Sequence, residues 1–206
     1  MYQTMTKTLR FRVLGDSLAF GVGCTTAEQT LGHRLADALR ADGHRVDLGV
    51  HAVSGARSID LAEQVREALP GGVDVALLVI GANDLTSFTP PAIGARLLHD
   101  AVANLRRAGA AVVVATAPDL GIVSHVPPAY RELVSRASAM YARVQADAVR
   151  LAGGTVATVG PELFTRFRAE PALFSADRFH PSPAGYALIA DALAPHVRDA
   201  AAEPAA

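Results

Sequence analysis

The sequence predicts an α/β fold built on a central parallel sheet of about five strands. Three observations carry that reading. Strand-like and helix-like patterns alternate from one end of the chain to the other, the order that successive βαβ units impose. Two of the strand-like runs, 73–80 and 111–115, are nearly continuous apolar stretches, as strands covered by helices on both faces must be. The 206 residues show no internal repeat and no linker, which suits one domain, taken as 1–199, long enough to bury its own core.

In chain order, the first strand is expected at 9–14, ending in the Gly-rich loop GDSLAFGVG. A helix follows at 26–41, where Leu31, Leu35, Ala38 and Leu39 recur at helical spacing and Asp42-Gly43 supplies the stop. Strand 45–50 and helix 57–69 come next, then strand 73–80. The helix patterns at 91–108, 128–151 and 183–197 each open at a proline, which the first helical turn tolerates. They are separated by strands at 111–115 and 155–159. An Ala/Pro-rich tail, 200–206, is expected to fray.

Composition narrows the class. Half the residues are apolar and 19% are charged, as in a soluble globular protein, and the formal net charge is -1. That balance provides no electrostatic case for nucleic acid or an anionic membrane as partner. Cys24 is the only cysteine, so no internal disulfide and no Cys-based metal site is encoded; it reads as a small loop filler. The longest apolar stretches fall far short of the roughly 20 residues a membrane span needs. Too few residues precede the first strand for the charged and apolar regions of a secretory signal, so a cytoplasmic location is expected.

Four short segments stand where chemistry is expected: GDSL at 15–18, SGA at 54–56, GAND at 81–84 and DRFHP at 177–181. Open parallel sheets bind ligands beyond the carboxyl ends of their strands. Ser17 follows the first strand, Gly55 the second and Asn83 the third, while DRFHP leads into the last helix. An unassisted serine is a poor nucleophile near neutral pH and needs a base, itself oriented by a third group. His180 is the candidate base and Asp177, three residues earlier in a loop bracketed by Pro171 and Pro181, its orienting carboxylate. His125, in the loop after the fourth strand, is the rival histidine. Asn83 could aim its amide at developing negative charge, joined by the N–H groups of Gly55 and Ser17. Taken singly, each has a structural reading: Ser17 a helix cap, Gly81 and Asn83 turn formers, Gly55 a carrier of positive φ. Leu18, Phe20, Val22, Leu85, Phe88, Ile122, Val123 and Phe174 lie near the same rim as candidates for an acyl pocket, with local packing as the alternative. Arg178 could meet an anionic substrate or simply be solvated.

With these four blocks in this order, nearly the whole chain resembles the SGNH or GDSL hydrolases, named for Ser, Gly, Asn and His in successive blocks, here Ser17, Gly55, Asn83 and His180. The resemblance implies a flavodoxin-like three-layer αβα sandwich and a broad, exposed site. It also implies hydrolysis of esters or thioesters through an acyl-enzyme, with no metal and no cofactor, on a small-molecule or lipid acyl ester. His51 stands where many members have asparagine. Acyl transfer to an alcohol or sugar acceptor is the rival within enzymes, since the same acyl-enzyme serves both. The G-x-S-x-G nucleophile elbow is absent, because Ala19 replaces its second glycine. Outside enzymes, GDSLAFGVG could cradle a phosphate or nucleotide, although Thr26 breaks the dinucleotide pattern and no P-loop is present.

Overall fold

A computed structural model of the chain describes residues 7–202. Five strands form: β1 (Thr8–Gly15), β2 (Arg45–Val50), β3 (Val75–Val79), β4 (Ala111–Ala115) and β5 (Thr155–Val156). All neighbours pair in parallel, in the order β2-β1-β3-β4-β5. This is the flavodoxin-like order, whose switch point lies between β1 and β3. Parallel neighbours need crossover connections. Eight helices occur among the described residues: α1 (Ser17–Phe20), α2 (Leu31–Ala41), α3 (Leu61–Ala68), α4 (Ala82–Thr86), α5 (Pro91–Arg107), α6 (Arg131–Leu151), α7 (Pro161–Ala169) and α8 (Pro183–Ala202).

Side chains alternate across a strand, so an apolar run covered on both faces feeds two cores at once. Val75, Leu77, Val79 and Val113 pack on one face against Leu31 and Leu35 of α2 and Leu193 and Val197 of α8. Ala76, Leu78, Ile80, Val112 and Val114 pack on the other, against α3, α5 and α6 through Leu61, Val65, Leu98, Val102 and Val149. Each fully buried Val, Leu or Ile contributes about 1.5–3 kcal/mol relative to exposure. The result is the αβα sandwich that the sequence anticipates.

The differences from expectation are local. β3 is shorter than 73–80. β5 stops at Val156 rather than 159; it pairs with β4 alone, and only one further bond, Ala157 N–H to the Val114 carbonyl at 2.9 Å, continues the ladder. The starts expected at 26, 57 and 128 fall in or beside separate 3₁₀ turns, Ala27–Gln29, Ser58–Asp60 and Pro128–Tyr130. Helices α1 and α4 are too short to show a period in sequence. α7 did carry a signal that the reading missed, Pro161 and Glu162 opening a run with Leu163, Phe164 and Phe167. The fraying expected from 200 is corrected as far as 202: α8 continues to Ala202, and Ala200 is buried in the core shared with α2. Residues 203–206 lie outside the described residues. No helix among the described residues is long and apolar enough to cross a membrane.

Candidate active site

β1 leaves the sheet through Gly15, whose φ is +134°; a Cβ there would fall 1.9 Å from the Val79 carbonyl oxygen on β3. Only glycine allows so tight an exit. The buried Gln64 of α3 holds both backbone groups of the same glycine, accepting from Gly15 N–H at 2.7 Å and donating to its carbonyl at 2.9 Å. Asp16 then caps α1, its Oδ1 accepting from Leu18 N–H at 3.0 Å. The cap role contemplated for Ser17 therefore belongs to Asp16. Ser17 is the first residue of α1, and its Oγ lies 2.9 Å from His180 Nε2.

The histidine comes from a closed loop. Phe174 and Pro181 form an antiparallel bridge, and Ser175 N–H donates to the His180 carbonyl at 2.8 Å. Inside it, Asp177 Oδ1 accepts from the N–H groups of Phe179 and His180, each at 2.9 Å, and from Ser175 Oγ at 2.8 Å. Aspartate makes such turns readily because its short side chain reaches the backbone just ahead. The other oxygen, Oδ2, lies 2.6 Å from His180 Nδ1. An ionised carboxylate can only accept, so Nδ1 carries the proton and Nε2 is left to accept from the Ser17 hydroxyl. Desolvation works to raise the Asp177 pKa, but the His180 ring, the two backbone donors and Ser175 outweigh it and hold the carboxyl well below the usual range. Phe179 sets its ring edge-on to the imidazole, with centroids 5.0 Å apart. Arg178 occupies the turn at φ +57° and is exposed.

The remaining blocks meet beside Ser17. Residues 53–56 make a turn closed by Ala56 N–H to the Val53 carbonyl at 3.0 Å, with Gly55 at φ +85° in the position where a type II turn demands positive φ. A Cβ on Gly55 would meet nothing within 4 Å, so the backbone angle, rather than close approach, calls for glycine. Asn83, in α4, donates one amide hydrogen to the Ala56 carbonyl at 2.9 Å, which ties the GAND turn to the SGA turn and leaves its second amide hydrogen. Among the described residues the N–H groups of Ser17 and Gly55 meet no acceptor. The neighbouring Asp84, fully buried, anchors this corner by accepting from both N–H and Oγ of Ser58 at 2.9 Å.

Ser17 is buried, and it opens onto an apolar cavity of about 150 Å³ between the ends of β3 and β4 and helices α7 and α8. The cavity is partly open to solvent, and the segment 116–130 and the 171–182 loop supply part of its wall. Leu18, Ile122, Val123 and Phe174 line the cavity. Phe20, Val22, Leu85 and Phe88 do not; Phe88 is 90% exposed, and the Val22 carbonyl instead accepts from the buried Tyr186 Oη at 2.8 Å. Phe164, Phe167 and Phe179 complete the wall and were not singled out in the sequence. Asp16 borders the same space; burial pushes its carboxyl up to about 6 against the opposing effects of the Leu18 hydrogen bond and His180.

His125 is exposed and makes no hydrogen bond to Ser17. His51 is half-buried, its N–H donating to the Val13 carbonyl at 2.8 Å, and burial lowers its ring pKa. Cys24 is half-buried and its thiol is pushed up by burial, the opposite of an activated nucleophile. Among the described residues no three His, Cys, Asp or Glu side chains gather to hold a metal ion. Gln64, Asp84 and Tyr186 escaped sequence reasoning because a polar residue inside a helix or a motif has no signature for the backbone group it will meet.

A flavodoxin-like αβα protein with a serine, a histidine and an aspartate hydrogen-bonded in series at its switch point is the class that this fold and site define. Within it, the sequence profile of the GDSL-like lipase/acylhydrolase family matches residues 13–188, and the chain belongs to that family. It is 42% identical over 195 residues to the GDSL-like esterase Rv1075c of Mycobacterium tuberculosis, covering 93% of this chain and 62% of that relative's length. Its fold is similar to the psychrotrophic esterase EstA of a Pseudoalteromonas species, with TM-score 0.73 and 19% identity over 92% of this chain and 97% of the other. It is similar also to the acetylxylan esterase Axe2 of Geobacillus stearothermophilus, with TM-score 0.71 and 17% identity over 94% and 96% of the two chains.

Proposed function

We propose that this chain is a serine carboxylic ester hydrolase that works through a Ser17-His180-Asp177 triad and an acyl-enzyme. The observation that carries the reading is the continuous hydrogen-bond series from Asp177 Oδ2 through the imidazole to Ser17 Oγ, at 2.6 and 2.9 Å. The esterase descriptions of its relatives support it. Ser17 Oγ attacks the ester carbonyl carbon while Nε2 of His180 takes the hydroxyl proton. Asp177 keeps the ring in the tautomer that can accept it. The N–H groups of Ser17 and Gly55 and the second amide hydrogen of Asn83 receive the oxyanion. His180 returns the proton to the leaving oxygen as the carbon–oxygen bond breaks. Water then repeats the sequence on the acyl-enzyme, its proton passing to His180 and on to Ser17 Oγ as the acid leaves. A thioester enters the same steps with sulfur as the leaving atom.

A phosphate cradle at GDSLAFGVG is disfavoured by Asp16, whose carboxylate already holds the Leu18 N–H that an anion would need. The test compares hydrolysis of p-nitrophenyl acetate by wild type and Ser17→Ala, together with covalent labelling by an alkyl fluorophosphonate. Loss of turnover in the variant and label mass on Ser17 are expected. Turnover retained by Ser17→Ala would remove the assignment.

A further inference from the structure

Helix α6 turns a stripe of polar side chains into the protein. Ser138, Tyr141 and Gln145 recur at the spacing that puts side chains on one helix face, and all three are buried. Two of them meet backbone groups: Ser138 Oγ accepts from Leu120 N–H at 3.2 Å, and Gln145 bonds Ile80 and Ala117. Tyr141 stands between them, 2% exposed, and its hydroxyl has no hydrogen-bond partner among the described residues. Just one other buried side-chain atom among those residues is in that condition, Oδ1 of Asp84, whose Oδ2 takes both bonds from Ser58.

The two orphans belong to one corner. Gly94, near the start of α5, would place a Cβ 2.0 Å from Tyr141 Oη and 3.5 Å from Ser58 Oγ, so these two oxygens lie within about 5.5 Å of each other. Glycine is a poor helix former, and here it clears room for the tyrosine hydroxyl. Ser58 Oγ in turn donates to Asp84 Oδ2 at 2.9 Å. Burial, joined by the charge of Asp84, pushes the Tyr141 pKa up, so the hydroxyl keeps its proton and acts as a donor.

We infer that one buried water molecule binds between Tyr141 Oη, Ser58 Oγ and Asp84 Oδ1, and that through it Tyr141 is a positioning residue for the oxyanion donors, on the basis of the ester hydrolase reading above. Two hydrogen bonds of about 2.8 Å that meet at one oxygen span the gap from Oη to Oγ. Tyr141 Oη donates to the water, and the water donates to Asp84 Oδ1 and to Ser58 Oγ, whose own hydrogen goes to Asp84 Oδ2. Three bonds are the usual number for a buried water, and this set leaves neither orphan. For packing alone phenylalanine would serve better, because a buried hydroxyl without a partner destabilises the fold. The route to the reacting carbonyl is short. Asn83 and Asp84 are consecutive in α4 and grip one segment at two points, Asn83 Nδ2 on the Ala56 carbonyl and Asp84 on Ser58. Gly55, whose N–H is a proposed oxyanion donor, adjoins Ala56. A carboxylate held at one oxygen can swing about it; held at both, it fixes α4 against the SGA turn.

The test is Tyr141→Phe beside wild type. A high-resolution crystal structure of wild type should show an ordered water bonded to the three oxygens, and the variant should lose it. Its kcat for p-nitrophenyl acetate should fall about 3- to 10-fold, the effect of one hydrogen bond, with KM unchanged. In an Asn83→Ala background the same substitution should reduce kcat by a smaller factor, because the side-chain donor it helps to place is gone. Gly94→Ala, whose Cβ claims the position of the hydroxyl, should reproduce the loss of kcat and serves if Tyr141→Phe does not fold. A corner without the water, or Tyr141 Oη bonded directly to a protein atom, overturns the hydration site. An unchanged kcat in both variants, or an equal loss with and without Asn83, overturns the positioning role. Turnover retained by Ser17→Ala removes the hydrolase reading instead, and the crystal structure alone then decides whether the water is bound.

Discussion

Gln145 lies in the middle of α6 with its side chain completely buried, and its amide replaces the sheet where β3 and β4 part. The paired register ends at Val79 and Ala115. Just beyond, Gln145 Nε2 donates to the Ile80 carbonyl at 3.2 Å and Oε1 accepts from Ala117 N–H at 2.8 Å. Ile80 and Ala117 are themselves buried, so water cannot substitute. Gln145→Met keeps the length and volume of the side chain but removes both bonds, orphaning one carbonyl and one N–H. At about 1–3 kcal/mol for each buried unsatisfied group, the loss should be about 2–6 kcal/mol, a large part of the roughly 5–15 kcal/mol that stabilises a typical domain. With a urea m-value of about 2–3 kcal/mol/M, the unfolding midpoint should drop by about 0.7–3 M with m unchanged. Ile80 immediately precedes the turn that carries Asn83, so the surviving folded enzyme should also lose kcat more than it gains KM. A midpoint shift below about 0.3 M would refute the claim that these two bonds hold the strand exits. An unchanged kcat would refute their link to Asn83.

Two further outcomes follow from the site. Asn83→Ala removes the one side-chain donor of the proposed oxyanion site, and kcat for an ester substrate should fall by about 10² to 10³ with KM nearly constant; a loss confined to KM would show that Asn83 serves ground-state binding instead. Asp16 has its carboxyl raised to about 6 by burial, so the folded state holds that proton more tightly than the unfolded chain and should lose stability as pH rises from about 4 to about 6. Asp16→Asn keeps a capping oxygen and removes this titration. The stability of wild type relative to the variant, followed by urea unfolding at successive pH values, should therefore decline across that window by up to about 3 kcal/mol, and parallel curves would contradict the reading.

The sequence by itself determined the chain order of the five strands and of helices α2, α3, α5, α6 and α8, the near-continuous apolar runs of β3 and β4, and the identities of Ser17, Gly55, Asn83, Asp177 and His180 as candidates. Those are legible because a period of hydrophobicity is local, and because a functional side chain next to a strand end is announced by its own neighbours. Only the tertiary structure decided what is not local. It made Asp16 rather than Ser17 the cap of α1, because that depends on where the chain turns after Gly15 meets Val79. It separated Leu18, Ile122, Val123 and Phe174, which line the cavity, from Phe20, Val22, Leu85 and Phe88, which do not, although all lie near the rim in sequence. It also brought Phe164 and Phe167 of α7 to a cavity lined by Ser17, more than 140 positions earlier. The buried amides of Gln64 and Gln145 belong to the same class: a glutamine in a helix looks solvated until the fold sets an unpaired backbone group in front of it.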